Sequence, residues 1–401
     1  MTADPGATPV AARALAPDLA RGGMLLLIAL ANVHYYLYDR PAGTHGYPAG
    51  LTGTADRVVT VLQMSLVDGR AYPLFGLLFG YGIGQLAWRR GAVGLPVAAV
   101  TGLVRRRGRW MIVIGLLHGV LLWPGDIIGA YGLLAVLLAG LLVRGSGRAL
   151  LVTTSIGMTL ITLLYAGAAL PLPDDSRAQL PSMAVSEPGP ALIARIGEWV
   201  GIGLVVQAVG VFAAVALGAL AARRRLLDEP ERHLALLGRT AVGGLLAAVM
   251  GGLPLALITA GLWSTPSVPV RMLVGGLHAL SGYAGGLGYA ALFGLLAVRI
   301  ARGGGPGPLA RAVRAGGRRS LSCYLAQSVA FVPLLPAWTL GLGASIQLWQ
   351  AALLALGVWL VILVVAAAAD RAGYRGPAEV LLRRLTYGRP RQDALRRPAS
   401  A

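Results

Sequence analysis

The chain has five histidines, the side chains best able to move a proton near neutral pH. Four of them, His34, His45, His118 and His278, fall at or near the same predicted end of long apolar blocks. Carboxylates join them. Trp123 closes one apolar block, Pro124 and Gly125 make a tight turn, and Asp126 opens the next block. His118 stands five residues before Trp123, about 7.5 Å of helix at 1.5 Å per residue, so a helical hairpin carries its ring towards the level of Asp126. The positive end of the following helix dipole favours the Asp126 charge. An imidazole oriented by a carboxylate is a general base suited to neutral pH. Asp68 and Arg70 precede another apolar block at that end, where Arg70 could hold an anionic group or a developing oxyanion. Each has a plainer reading. Asp126 is also a standard helix N-cap, His118, Gln207 and Gln327 also serve as interhelical hydrogen-bonding groups, and His34 sits in an aromatic belt with Tyr35, Tyr36 and Tyr38. For His278, and for Asp68 with Arg70, the structural reading carries more weight than the chemical one.

The elements that must position these residues are set by composition. Of 401 residues, 56% are hydrophobic and 13% charged, and the mean hydropathy is +0.69. A soluble domain carries about 25% charged residues, so a water-soluble enzyme is excluded. The apolar blocks are continuous rather than alternating, which excludes a transmembrane β-barrel. The expected fold is all-α, a polytopic membrane helical bundle. Ten blocks long enough to approach a bilayer's hydrocarbon thickness lie at 22–38, 71–87, 109–123, 126–143, 149–170, 196–222, 240–263, 272–298, 320–339 and 346–369. The third is short and is expected to extend through Arg105 to Arg109, whose long side chains can snorkel.

Ten spans place the intervening segments on alternate sides. All 35 basic residues are Arg, and 29 of them fall on one side against 6 on the other. The positive-inside rule then puts both termini in the cytoplasm and makes the protein a multi-pass protein of the cell membrane. The first 20 residues lack a signal-peptide pattern, so the first helix reads as an uncleaved anchor. A single integral membrane domain is expected: a cytoplasmic segment 1–20, a five-helix half 21–170, an outer Pro-rich loop 171–192, a second five-helix half 193–370, an amphipathic stretch from Pro377 to Leu385, and a disordered tail 389–401. Cys323 is the one cysteine, which excludes an intramolecular disulfide. P-loop, G-x-S-x-G and H-E-x-x-H motifs are absent, and the His spacing supports no metal site.

Several motifs resemble those of the YeiB-like membrane proteins, catalogued as domain of unknown function 418, and through them the wider transmembrane acyltransferase superfamily. Asp18-Leu-Ala-Arg21-Gly22 with Asn32 resembles a D-x-x-R-G motif and its downstream Asn. Gly69-Arg70 with Leu74 to Gly80 resembles a G-(K/R)-F-x-x-L-F-S-x-L-F-G run, and His118 to Ile128 an H-x-x-L-x-W-x-G-D-I-L hairpin. Gly317 to Ser328 is similar to G-R-x-x-L-T-N-Y-L-x-Q-S, and Tyr374 to Gly388 to F-x-x-G-P-x-E-W-L-x-R-x-L-T-Y-G. Cys323 departs from the usual Asn of the fourth motif, and Val380 stands where Trp is common in the fifth.

The resemblance implies transfer of an acyl group from a cytoplasmic donor, acyl-coenzyme A such as acetyl-CoA, to a small-molecule, lipid or glycan acceptor at the outer face. In one branch a His of the first outer loop is catalytic, and His45 occupies a comparable loop. The expected catalytic set is therefore His118, Asp126, Arg70 and His45, with Asn32, His34, Asp68, Arg21 and Gln327 as substrate-binding candidates. Membrane lipid is an expected partner; nucleic acid and metal are not. The alternative is a proton-coupled transporter or exporter of a small molecule or lipid, in which the same His and Asp residues form the path without acyl chemistry.

Overall fold

A computed structural model describes residues 14–173, 175–264 and 266–388. The expected disordered tail, 389–401, lies outside the described residues. The chain's described residues build helices: α1 Leu15–Val33, α2 Thr54–Leu66, α3 Ala71–Ala92, α4 Val97–Leu121, α5 Ile128–Arg144, α6 Gly147–Ala168, α7 Pro188–Glu198, α8 Gln207–Arg223, α9 Leu234–Thr259, α10 Val268–Arg302, α11 Pro308–Arg318, α12 Ser320–Phe331, α13 Leu348–Arg371 and α14 Pro377–Tyr387. It is a polytopic helical membrane bundle.

Six helical segments among the described residues are long and apolar enough to cross a membrane: Leu15–Tyr36, Gly147–Ala168, Pro188–Arg223, Pro230–Thr259, Val268–Arg302 and Leu348–Arg371. The other four predicted blocks are helices too, α3, α4, α5 and α12, and each carries a reason for falling below that standard. Gly, Tyr and Gln dilute α3, Arg105 to Arg109 interrupt α4, and α5 is a shorter apolar helix. The expected span 320–339 stops as a helix at Phe331, because Pro333 and Pro336 follow at once and cannot continue the backbone ladder. The sixth span begins at Pro188 rather than 196, with Pro at its first turn, and a π-helical stretch, Trp199–Val206, joins α7 to α8. α2 was not anticipated, since its 13 amphipathic residues are too short for a membrane crossing.

Packing relies on small residues. α3 and α8 touch backbone to backbone: a methyl group added to Gly80 would lie 1.9 Å from the Val215 carbonyl oxygen, and one added to Gly218 would lie 2.0 Å from that of Leu77. Close approach of this kind replaces the hydrophobic drive that lipid does not supply. The lipid-facing surfaces are apolar, as on α13, where Val361, Val364 and Val365 are exposed. The core carries buried Asp18, Arg70, His118, Asp126 and His278 instead.

Candidate functional site

The side chains singled out by the sequence separate into two buried polar clusters at the Arg-poor end and one cavity at the Arg-rich end.

The first cluster is built by the α4–α5 hairpin. His118 Nδ1 lies 2.8 Å from Asp126 Oδ1, and its Nε2 lies 2.8 Å from Ser328 Oγ on α12. Asp126 Oδ2 accepts the Gly129 backbone N–H at 2.7 Å, so Asp126 holds the first turn of α5 from the residue before its N-cap, Ile127, rather than from the N-cap itself, while pairing with His118. The hairpin closes this tightly because glycines line it. A methyl group on Gly115 would meet Asp126 Oδ2 at 2.5 Å, and one on Gly119 would meet the Trp199 ring at 1.9 Å. Trp199 opens the π-helical stretch, and Gln207 just beyond that stretch donates to the Gly125 carbonyl. π-Turns of this kind are frequent beside functional sites.

The second cluster gathers around Arg70, the largest fully buried side chain of the fold. Its Nη1 donates to the Asp68 backbone carbonyl at 2.5 Å and lies 3.1 Å from His278 Nε2, and its Nη2 donates to the Ala248 carbonyl at 2.5 Å and to Ser281 Oγ at 3.3 Å. Arg70 and Asp68 therefore meet through the backbone and form no side-chain ion pair at contact distance. The Asp68 carboxylate accepts from the Tyr47 hydroxyl, and Tyr47 stacks on His34 at 4.2 Å between ring centroids. Burial pushes the Asp68 carboxyl up to about 7, against opposing contributions from the Tyr47 hydroxyl and Arg70. His45 reaches the cluster from the loop after α1, 5.7 Å from His278 and 4.7 Å from Tyr165, ring to ring. It holds φ at +54°, a left-handed conformation uncommon for a residue with a side chain. Its buried Nε2 has no hydrogen-bond partner among the described residues. Burial, with His34 alongside, lowers the His45 imidazole to about 4 and keeps it neutral at physiological pH.

An aromatic wall stands between the clusters. Tyr36 stacks on Trp123 at 4.6 Å, and Tyr35 bridges Trp123 at 6.2 Å and His34 at 4.5 Å.

The cavity, about 730 Å³, opens among α1, α3, α4, α12 and α14. Seven arginines line it, Arg21, Arg89, Arg107, Arg318, Arg319, Arg375 and Arg383, and all belong to the majority side of the sequence's arginine split. Along α3 it runs from Arg89 to Phe75, about 20 Å at 1.5 Å per residue. Its deep walls are apolar or aromatic, with Phe79, Met111, Ile128, Tyr131 and Tyr324. The Tyr324 ring lies 5.2 Å from that of His118, so the cavity floor adjoins the first cluster. The Tyr131 hydroxyl is buried without a hydrogen-bond partner among the described residues.

Of the remaining candidates, Arg21 lines the cavity beside Asp18, 3.5 Å away. Gln327 Nε2 donates to the Leu25 carbonyl at 2.8 Å, tying α12 to α1. Asn32 is half-buried on α1 and contributes no hydrogen bond to either cluster. Sequence reasoning missed Ser328, although it closes the fourth motif, and undervalued His278, which no local pattern connects to Arg70. Among the described residues no three His, Cys, Asp or Glu side chains converge as a metal would require.

The family described as "Protein of unknown function (DUF418)" matches residues 221–389, the region that holds the fourth and fifth motifs and α9 to α14. Over nearly its whole length the chain is also similar to a protein of Bacillus subtilis (strain 168) described as "Uncharacterized protein YxaH", with 23% identity over 399 residues covering 92% of this chain and 93% of that protein.

Proposed function

We propose that this membrane protein, whose residues 221–389 match the DUF418 family, transfers an acyl group from an anionic thioester donor to an acceptor at the opposite membrane face. The observation that carries this reading is the placement of the His118–Asp126 pair directly behind the floor of an arginine-lined cavity. An acyl-coenzyme A fits that cavity by chemistry. Its phosphates suit the guanidinium rim, since Arg pairs with phosphate in bidentate fashion, and its long neutral arm suits the apolar shaft. The thioester would then arrive beside Tyr324.

Asp126 takes the Nδ1–H of His118, which leaves Nε2 as the basic nitrogen facing inward. Such a base adds about 10² to 10⁴ in rate. The cell membrane, with the arginine rim towards the cytoplasm, is the location that gives the donor access. A membrane lipid, a glycan or a small molecule would serve as acceptor. Purified protein in lipid nanodiscs, given labelled acetyl-CoA and candidate acceptors, is expected to transfer label, and His118→Ala to abolish transfer. Absence of transfer from acetyl-CoA and from longer acyl-CoA donors alike defeats the proposal.

One observation favours a second reading. Titratable groups continue past the aromatic wall as His34, Asp68, Arg70, His45 and His278, and buried chains of this kind carry protons in transporters. Proton-coupled export or uptake would persist without any acyl donor and would respond to an imposed pH gradient in proteoliposomes.

A further inference from the structure

We propose that Ser328 is a nucleophile, completed by His118 and Asp126, that carries the acyl group as a covalent ester between donor and acceptor. This rests on the acyl-transfer reading above. Three observations lead to it.

The hydrogen bonds have a single consistent direction. Asp126 Oδ1 accepts from His118 Nδ1 at 2.8 Å, so the lone pair sits on Nε2 and the Ser328 hydroxyl, 2.8 Å away, donates to it. That is the tautomer in which imidazole takes a proton from a hydroxyl. The second Asp126 oxygen is held by the Gly129 N–H, which fixes the carboxylate and therefore the ring.

Ser328 does not satisfy its hydroxyl within its own helix. The helical threonines Thr60, Thr153, Thr154, Thr162 and Thr259 turn back to the carbonyl four residues earlier, the usual resting place of a helical hydroxyl. Ser328 is aimed across the bundle at His118 instead, as Ser322 of the same helix is aimed at Glu379.

Phenolic donors surround it. The buried Tyr36 hydroxyl is directed at Ser328, and the Tyr324 ring lies 5.2 Å from that of His118. Donors held in a dry site are suited to a developing oxyanion. Tyr324 lies one helical turn before Ser328 on α12 and forms part of the cavity floor.

In the first half-reaction, Ser328 Oγ attacks the thioester carbonyl. The C–O bond forms as the C–S bond breaks, and the hydroxyl proton passes to His118 Nε2 and on to the departing sulfur, giving the free thiol. In the second, an acceptor hydroxyl or amine attacks the ester carbonyl, giving its proton to Nε2. The bond to Ser328 breaks, and Oγ recovers that proton.

The test uses the full chain in nanodiscs and two probes. A fluorophosphonate reports nucleophilicity without any acyl donor: Oγ displaces fluoride from phosphorus. Peptide mapping is expected to place the label on Ser328, with labelling lost in Ser328→Ala and reduced by about 10³-fold or more in His118→Ala. Labelled acetyl-CoA without acceptor is expected to leave a hydroxylamine-sensitive acetyl group on the same peptide. Mapping on the unaltered protein needs no variant, so a misfolded substitution does not obscure the result. Acyl transfer that proceeds with no label on Ser328 from either probe overturns the nucleophile and leaves the acyl-transfer reading intact. Fluorophosphonate labelling of Ser328 that depends on His118, without acyl transfer from any donor, upholds the nucleophile and defeats the thioester donor.

Discussion

Asp68 and Arg70 show how burial sets the behaviour of single groups here. A carboxyl raised to about 7 in the folded protein keeps its proton between about pH 4 and 7, where the unfolded chain has lost it. The stability it contributes is complete below about pH 4 and is lost as pH rises through 7. Asp68→Asn removes that dependence. The melting temperature of the variant minus that of the unaltered protein, measured in detergent, is therefore expected to be larger at pH 8 than at pH 5; a difference that stays flat across that range would place the Asp68 carboxyl at an ordinary value. Arg70 has the opposite character, because its partners depend on it. Arg70→Met leaves the Ala248 and Asp68 carbonyls and Ser281 without their donor, and is expected to lower stability by on the order of 3 kcal/mol. The check is a thermal or denaturant melt alongside Arg57→Met, whose guanidinium donates to the Leu51 carbonyl alone among the described residues and whose loss is expected to cost far less.

Helices act here through what their glycines admit. Gly115 leaves room for the Asp126 carboxylate, whereas Gly102 on the same helix has nothing within 4 Å of an added methyl group. Gly115→Ala is expected to push Asp126 off His118 and cut acyl transfer by about tenfold or more, while Gly102→Ala leaves it unchanged. Equal rates in the two variants would mean that the hairpin tolerates the displacement. The hairpin was legible in the sequence because its partners lie eight residues apart and a Pro-Gly turn fixes the geometry between them. The apolar blocks were legible as well, since lipid demands continuous hydrophobic runs. Ser328 was hidden by the 210 residues that separate it from His118. His278 was hidden likewise, because it reaches Arg70 only after α10 packs on α3. α2 carries no such signal, because its 13 amphipathic residues are too short to cross a membrane.

For the whole molecule, the decisive question is which way the arginine cavity faces. The proposed donor, proton path and acceptor all take their direction from it. Seven arginines at one cavity meet two polar clusters at the other end, where few arginines lie. The positive-inside rule then predicts that the cavity opens to the cytoplasm. Single cysteines can read this directly, since Cys323 is buried and contributes little background. Ser345 is exposed in the turn before α13, and Arg311 is exposed on α11, at opposite ends of the bundle. Ser345→Cys is expected to react with a membrane-impermeant maleimide on intact cells, and Arg311→Cys only after permeabilisation. The reversed pattern would put the cavity outside, beyond the reach of a cytoplasmic thioester. The reaction proposed above would then lose its donor, while proton-coupled transport through the same helices would remain open.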